Sequence, residues 1–196
     1  MAADRLEDRS PFGYGDRRLA DDIDGTEPKS AAALGPNATP WQLAADVCDP
    51  EIPAISIADL GILRAVSVSP DGEDVTVTIT PTYSGCPAMK AIENDLHRVF
   101  TQAGFRTVAV DLVLSPAWTT DWITPAGQRA LHDSGITPPT GTRPVSGPIG
   151  LTLSVRCPHC GSFDTAVLSQ FGSTACKALY RCSACREPFD WFKPLL

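Results

Sequence analysis

TPTYSGCPAMKAIENDLHRVF, residues 80 to 100, joins an extended run to a helix across a Gly-Cys-Pro turn. Upstream, Val75, Val77 and Ile79 alternate with Thr76, Thr78 and Thr80, the period-two pattern of a half-buried strand, and Pro81 ends it. Downstream, Pro87 suits a first helical position, because its ring fixes φ and the N–H it lacks would have no partner there. Ala88, Ile92, Leu96, Val99 and Phe100 then recur at helical spacing. Cys86 is thereby placed at or beside the helix N-cap. Unpaired amides and the positive end of the helix dipole favour a thiolate there, so the expectation is a lowered pKa and a thiol suited to nucleophilic attack or soft-metal binding. The alternative is a small buried residue filling a tight turn.

Working outward, Ile62 to Ser69 also alternates, with Pro70-Asp71-Gly72 as the hairpin turn into the next strand. Gly104 closes the helix, and Val108, Val110, Leu112 and Leu114 make a third strand. Before the hairpin, Thr39 and Pro40 start a short helix through Val47. The order α, β, β, α, β predicts an α+β domain over residues 40–134, a small three-stranded mixed sheet covered by helices on one face. Pro116 to Thr124 reads as a loop whose Trp118 and Trp122 cap a core, followed by a helix from Pro125 to His132. In Asp49-Pro-Glu-Ile-Pro53 the prolines push the residues before them out of the α region. That gives an extended loop able to hold the Asp49 and Glu51 carboxylates in one direction; the alternative is an ordinary turn with solvated acids.

The 196 residues are 43% hydrophobic with a formal charge of −7, enough for a core plus a smaller module. The acidity falls on the α+β segment, which makes nucleic acid or an anionic membrane a poor partner for the bulk of the molecule. Residues 1–39 mix charge with Gly, Ala and Pro and read as a flexible leader without a signal-peptide core. With no uninterrupted apolar span elsewhere, the expected location is the cytoplasm. Residues 135–150 hold four prolines and four glycines and read as a linker.

Residues 151–196 carry the strongest signal. Cys157-Pro-His-Cys160 and Cys182-Ser-Ala-Cys185 repeat a C-x2-C spacing with 21 residues between the pairs. Two residues between thiolates let each loop fold back so that four sulfurs close a tetrahedral shell. Such a short segment cannot bury enough surface to fold unaided, so the metal supplies the missing free energy and is structural. A closed four-cysteine ribbon with short strands at 151–155, 165–171, 178–181 and 189–192 holds zinc in preference to iron, and disulfides are disfavoured in the cytosol. His159 reads as a spacer, and His97 and His132 as helix-surface residues. Cys176 is spare: a buried small residue, or an accessory thiol.

Asp49-Pro-Glu-Ile-Pro53, Asp59-Leu-Gly61, Ser84-Gly-Cys-Pro-Ala-Met89 and Trp118, taken in order, resemble the SufT-like domain associated with iron-sulfur cluster assembly. With Phe171-Gly-Ser-Thr and Cys176-Lys-Ala-Leu-Tyr-Arg-Cys182 added, residues 41–196 are similar to the PaaD family of phenylacetate degradation. The resemblance implies an accessory protein that is not itself catalytic. It would help install or maintain an iron-sulfur cluster in the multicomponent phenylacetyl-CoA epoxidase, whose iron-sulfur reductase is the implied partner. Carried over, the family's motif cysteine falls on Cys86 and its acidic loop on Asp49 and Glu51; Cys48 has no counterpart.

Three functions follow. In the first, Cys86 transiently holds iron or a cluster edge while Glu51 or Asp49 completes the site, and a homodimer or a partner supplies further ligands, since one thiol cannot hold a cluster alone. The second is a structural adaptor of the epoxidase in which no thiol takes part. The third is an enzyme, disfavoured because the sequence has no Glu-x-x-His di-iron pattern, no dinucleotide fingerprint and no histidine paired with a nucleophile.

Overall fold

The computed structural model describes residues 38–139 and 155–194. The expected leader up to residue 37, most of the expected linker and all but Val155 of the strand expected over 151–155 lie outside them. Thr39 caps α1 (Pro40–Ala45) through a reciprocal pair with Gln42: the Thr39 side chain accepts from the Gln42 N–H, and the Gln42 side chain accepts from the Thr39 N–H. The hairpin follows as β1 (Leu63–Val68) and β2 (Asp74–Ile79), antiparallel, with Ser69 Oγ accepting from Asp74 N at 2.9 Å across the turn.

Helix α2 (Ala88–Gln102) then crosses back so that β3 (Thr107–Leu112) pairs parallel to β2, giving a mixed sheet of order β1-β2-β3. Val75, Val77 and Ile79 are buried together with Ala88, Ile92, Leu96, Val99 and Phe100 of α2, so the two periodicities in the sequence meet in one core. Trp118 is buried and donates its indole N–H to the Leu60 carbonyl at 3.0 Å. Trp122 packs at the edge of the same core, with the Arg64 guanidinium over its ring. Both tryptophans therefore cap the core, as their loop suggests. Helix α3 (Pro125–Asp133) starts from Thr124, whose hydroxyl accepts from Gly127 N at 3.0 Å.

The sequence places a linker from residue 135, and here the structure differs. Ile136 and Thr137 form a buried strand, β4 (Ile136–Thr137), parallel to β7 (Pro188–Phe192) of the C-terminal module. Thr137 Oγ1 also donates to Arg156 O at 2.8 Å. These two β-branched residues gain a tertiary pairing that the surrounding glycine and proline composition hides. The module itself is a ribbon: β5 (Thr165–Ser169), β6 (Lys177–Cys182) and β7 pair antiparallel, and the sheet order is β4-β7-β6-β5.

The ribbon does not stand apart from the α+β domain. Phe192 of β7, with no exposed surface, and Cys176 belong to the main core, and the Phe192 ring lies against Trp118 with centroids 6.0 Å apart. A second, smaller core of Val155, Cys157, Cys182 and Phe189 sits beside the knuckles. Truncating a fully buried phenylalanine costs about 3–5 kcal/mol. By scanning calorimetry we expect the wild type to unfold in one transition, and Phe192→Ala to lose stability by that amount and to unfold in two. An unchanged transition would mean that this contact does not hold the ribbon.

Candidate functional site

Two groups of cysteines occupy the ribbon and its junction with the α+β domain. In the first, Cys157 Sγ and Cys185 Sγ lie 3.7 Å apart, Cys160 Sγ and Cys182 Sγ 3.5 Å, and all four sulfurs fall within 4.8 Å of one another. A tetrahedral ion about 2.3 Å from each sulfur needs sulfurs about 3.8 Å apart, so the four residues fit a closed metal site. The two knuckles are built alike. Cys157 N donates to Ser162 O at 2.9 Å and Cys182 N to Glu187 O at 3.0 Å, and the residue after each second cysteine takes positive φ, Gly161 at 77° and Arg186 at 67°. The Cys182 thiol is pulled down to about 7, chiefly by the Cys185 N–H. Cys185 is pushed up to about 12, because the lowering by the Glu187 N–H is outweighed by burial and the neighbouring sulfurs together, so the four sulfurs ionise together only with a cation among them. His159 is exposed and lies outside this set.

The second group forms where the ribbon covers the α+β domain. Cys86 sits one residue before the Pro87 N-cap of α2 and is 9% exposed; Cys176, just before β6, is 6% exposed, and both belong to the main core. Tyr83 is hydrogen-bonded to Cys86, and the Ala88 N–H reaches the same sulfur. Thr174 Oγ1 lies 3.0 Å from Cys176 Sγ. Asp49 and Glu51 stand close enough to act electrostatically on both thiols. Lys177, 4% exposed, faces the two carboxylates and pairs with Asp190 at 3.4 Å. That pairing needs Gly172, where a Cβ would come within 2.9 Å of Asp190 Oδ1 and 3.3 Å of the Lys177 Cβ. The structure thus brings Asp49, Glu51, Cys86 and Cys176 to one junction. Cys48 is exposed, pairs through its backbone with Ser56, and has its sulfur 3.8 Å from the Asp46 carbonyl.

Two expectations are corrected here. Burial pushes the Cys86 thiol up, not down; the Ala88 N–H lowers it by less, and Glu51 and Asp49 add to the rise. The helix terminus acts as anticipated through the Ala88 N–H, but burial of the sulfur outweighs it. The acidic loop does not present two equivalent carboxylates either. Asp49 turns inward, 5% exposed, and its Oδ1 accepts from Glu51 N at 2.8 Å and Ile52 N at 2.9 Å, so it fixes the loop. Glu51 is the half-buried acid left beside the thiols.

Burial is also the first cause that raises Asp49, Glu51 and Cys176, and it pushes the Tyr83 phenol up to about 12, with Cys86 the next cause. Tyr83 therefore stays a neutral O–H donor toward the Cys86 sulfur. Sequence reasoning missed Tyr83, Thr174, Lys177 and Asp190. Lys177, adjacent to the spare cysteine, is the one residue whose position hinted at a role.

Comparison with known proteins bears on both groups. Residues 44–117 match the family described as iron-sulfur cluster assembly protein, and residues 141–193 the PaaD zinc beta ribbon domain. A protein of Escherichia coli (strain K12) named as a component of 1,2-phenylacetyl-CoA epoxidase is 50% identical over 153 residues, 78% of this chain and 90% of that protein. An Fe-S protein maturation auxiliary factor of Porphyromonas gingivalis is 42% identical over 76 residues, 38% of this chain and 70% of that protein. Among solved structures, a DUF59 domain from Bacillus anthracis has 24% identity and a TM-score of 0.43, over 47% of this chain and 87% of that one.

The inward turn of Asp49 generates a prediction. Its folded-state pKa lies above the ordinary 3.8, so the native state holds the proton more tightly than the unfolded chain. The ionised group therefore subtracts stability as pH rises through the carboxylate range. Asparagine keeps an oxygen for the Glu51 and Ile52 N–H groups and has no charge to desolvate. Asp49→Asn should unfold at the wild-type temperature or above at pH 7, an advantage that shrinks in acid. Asp49→Ala, which orphans both amides, should cost about 1–3 kcal/mol at either pH. Equal destabilisation by the two substitutions in thermal melts would contradict the role given to Asp49.

Proposed function

The chain belongs to the PaaD family, and from that premise we propose that it is a cytosolic accessory factor of aerobic phenylacetate breakdown. It assists assembly or upkeep of the iron-sulfur centre of the multicomponent phenylacetyl-CoA epoxidase, with the reductase component as client. One observation carries the reading: one chain holds both a closed four-cysteine set and a separate group in which carboxylates act on a buried thiol. A closed cage keeps its ion, whereas a donor needs a site with too few ligands to retain its cargo. The tetrad of Cys157, Cys160, Cys182 and Cys185 holds a structural zinc ion, and Cys86 with Glu51 handles iron or a cluster edge.

The electrostatics suit a transient hold. Cargo must displace a proton from a thiol whose pKa is raised by burial, and on release the thiol recovers that proton from solvent. Neutral Tyr83, hydrogen-bonded to Cys86, steadies the sulfur while it is charged. Among the described residues no helix is long and apolar enough to cross a membrane.

An adaptor reading has its own support. Phe163, Val167, Leu168 and Phe171, at the β5 edge of the ribbon, are 49% to 66% exposed, a surface suited to docking a protein. Measurement in cells separates the two. If cargo handling is right, Cys86→Ala should lower epoxidase activity and the iron and sulfide content of the purified reductase to a small fraction of wild type. The same protein should retain its zinc, which only a Cys157/Cys160 double substitution removes. Normal reductase clusters with Cys86→Ala, and loss of activity only on disrupting the ribbon, would establish the adaptor instead.

A further inference from the structure

Cys176 is the thiol that neither the tetrad nor the motif of the α+β domain uses. It is nonetheless buried, it belongs to the same contiguous core as Cys86, and Tyr83 is influenced by both sulfurs as well as by Glu51. Cys176 lies at the border of that apolar core, and on its other side it has the Thr174 hydroxyl 3.0 Å from its sulfur and Glu51, Asp49 and Lys177 acting on it.

The charge balance of the junction is one-sided. Two carboxylates and two thiols, four groups that become anions on losing a proton, face one ammonium, Lys177. Lys177 lies 3.4 Å from Asp190, which already neutralises it. Thiol sulfur prefers soft cations, and a divalent ion is the complement that lets both thiols ionise without stacking negative charge in a buried place. The two protons released go to solvent, and no electron is transferred.

We propose that Cys86 and Cys176 form one two-thiol site, shared between the α+β domain and the ribbon and flanked by Glu51, that binds a soft divalent cation. In the function set out above that cation is iron(II), so the inference rests on Cys86 being the cargo residue and adds the ribbon as the second half of the site. Among the described residues only the tetrad has its ligand atoms all within 4.8 Å of one another, so Cys86, Cys176 and Glu51 would draw together as the ion binds.

The test uses the full chain, loaded with zinc and kept anaerobic, with cobalt(II) as the probe. We expect wild type to take up a cobalt ion beyond its zinc, with a sulfur-to-cobalt charge-transfer band. Cys86→Ser and Cys176→Ser should each lose about half of that band or more while keeping zinc and the circular dichroism of the wild type, and the double substitution should lose all of it. A Cys176→Ser band equal to wild type, with Cys86→Ser abolishing it, overturns the two-domain site and leaves the Cys86 reading standing. Absence of any cobalt band in the wild type overturns both. A measurement that needs no variant runs beside it: added cobalt should protect Cys86 and Cys176 together from alkylation, mapped by mass spectrometry, and protection of Cys86 alone overturns the inference.

Discussion

Trp118 faces two ways. Its indole N–H is spent on the Leu60 carbonyl inside the α+β domain, and its ring meets Phe192 at the end of the ribbon's last strand. A segment as short as the ribbon buries too little surface to hold its own shape, so it depends on the four-cysteine set at one end and on this contact at the other. The dependence runs both ways. β6 begins at Lys177, and the backbone N–H of Lys193, just after β7, donates to the Cys176 carbonyl at 2.9 Å, so the seating of Phe192 also decides where Cys176 and Lys177 stand.

What the seating creates is a junction poor in water and rich in groups that resist ionising there. Burial is the leading cause of the upward shift at Asp49, Glu51, Cys86 and Cys176 alike. Asp49 is kept by two backbone amides and Lys177 by Asp190, which leaves Glu51 and the two thiols as the groups free to answer a ligand. The tetrad differs in kind. Its sulfurs are already at the spacing of an occupied tetrahedral site, and its backbone donors favour the charged form.

Much of this was legible in the sequence, and the part that was not has a common cause. Alternation at Val75, Val77 and Ile79 and helical spacing from Ala88 to Phe100 are local patterns, and the two C-x2-C pairs are a local chemistry with few other uses; the structure carries all three. The strand at Ile136 and Thr137 escaped because its pairing partner lies more than fifty residues on, at Asp190 and Trp191. The direction of the Cys86 shift escaped for a related reason, since a helix terminus is visible in the chain but the burial that the tertiary fold imposes on it is not. Asp49 read as a displayed carboxylate because Pro50 follows it, yet the bonds its side chain accepts from the Glu51 and Ile52 N–H groups set it inward. Cys176 read only as a spare thiol in the ribbon text, and the fold sets it in the same core as Cys86, with both acting on Tyr83.

On the function proposed, the ribbon, held by the metal of the four-cysteine set, forms a wall of the site at Cys86. Hydrogen exchange on the full chain, before and after a chelator removes that metal under reducing conditions, tests that most directly. Metal removal should speed exchange not only in residues 155–194 but also around Asp49 to Ile52 and Tyr83 to Ala88, while β1 and β2 keep their protection. Loss of protection confined to the ribbon, with the Cys86 turn unchanged, would contradict it.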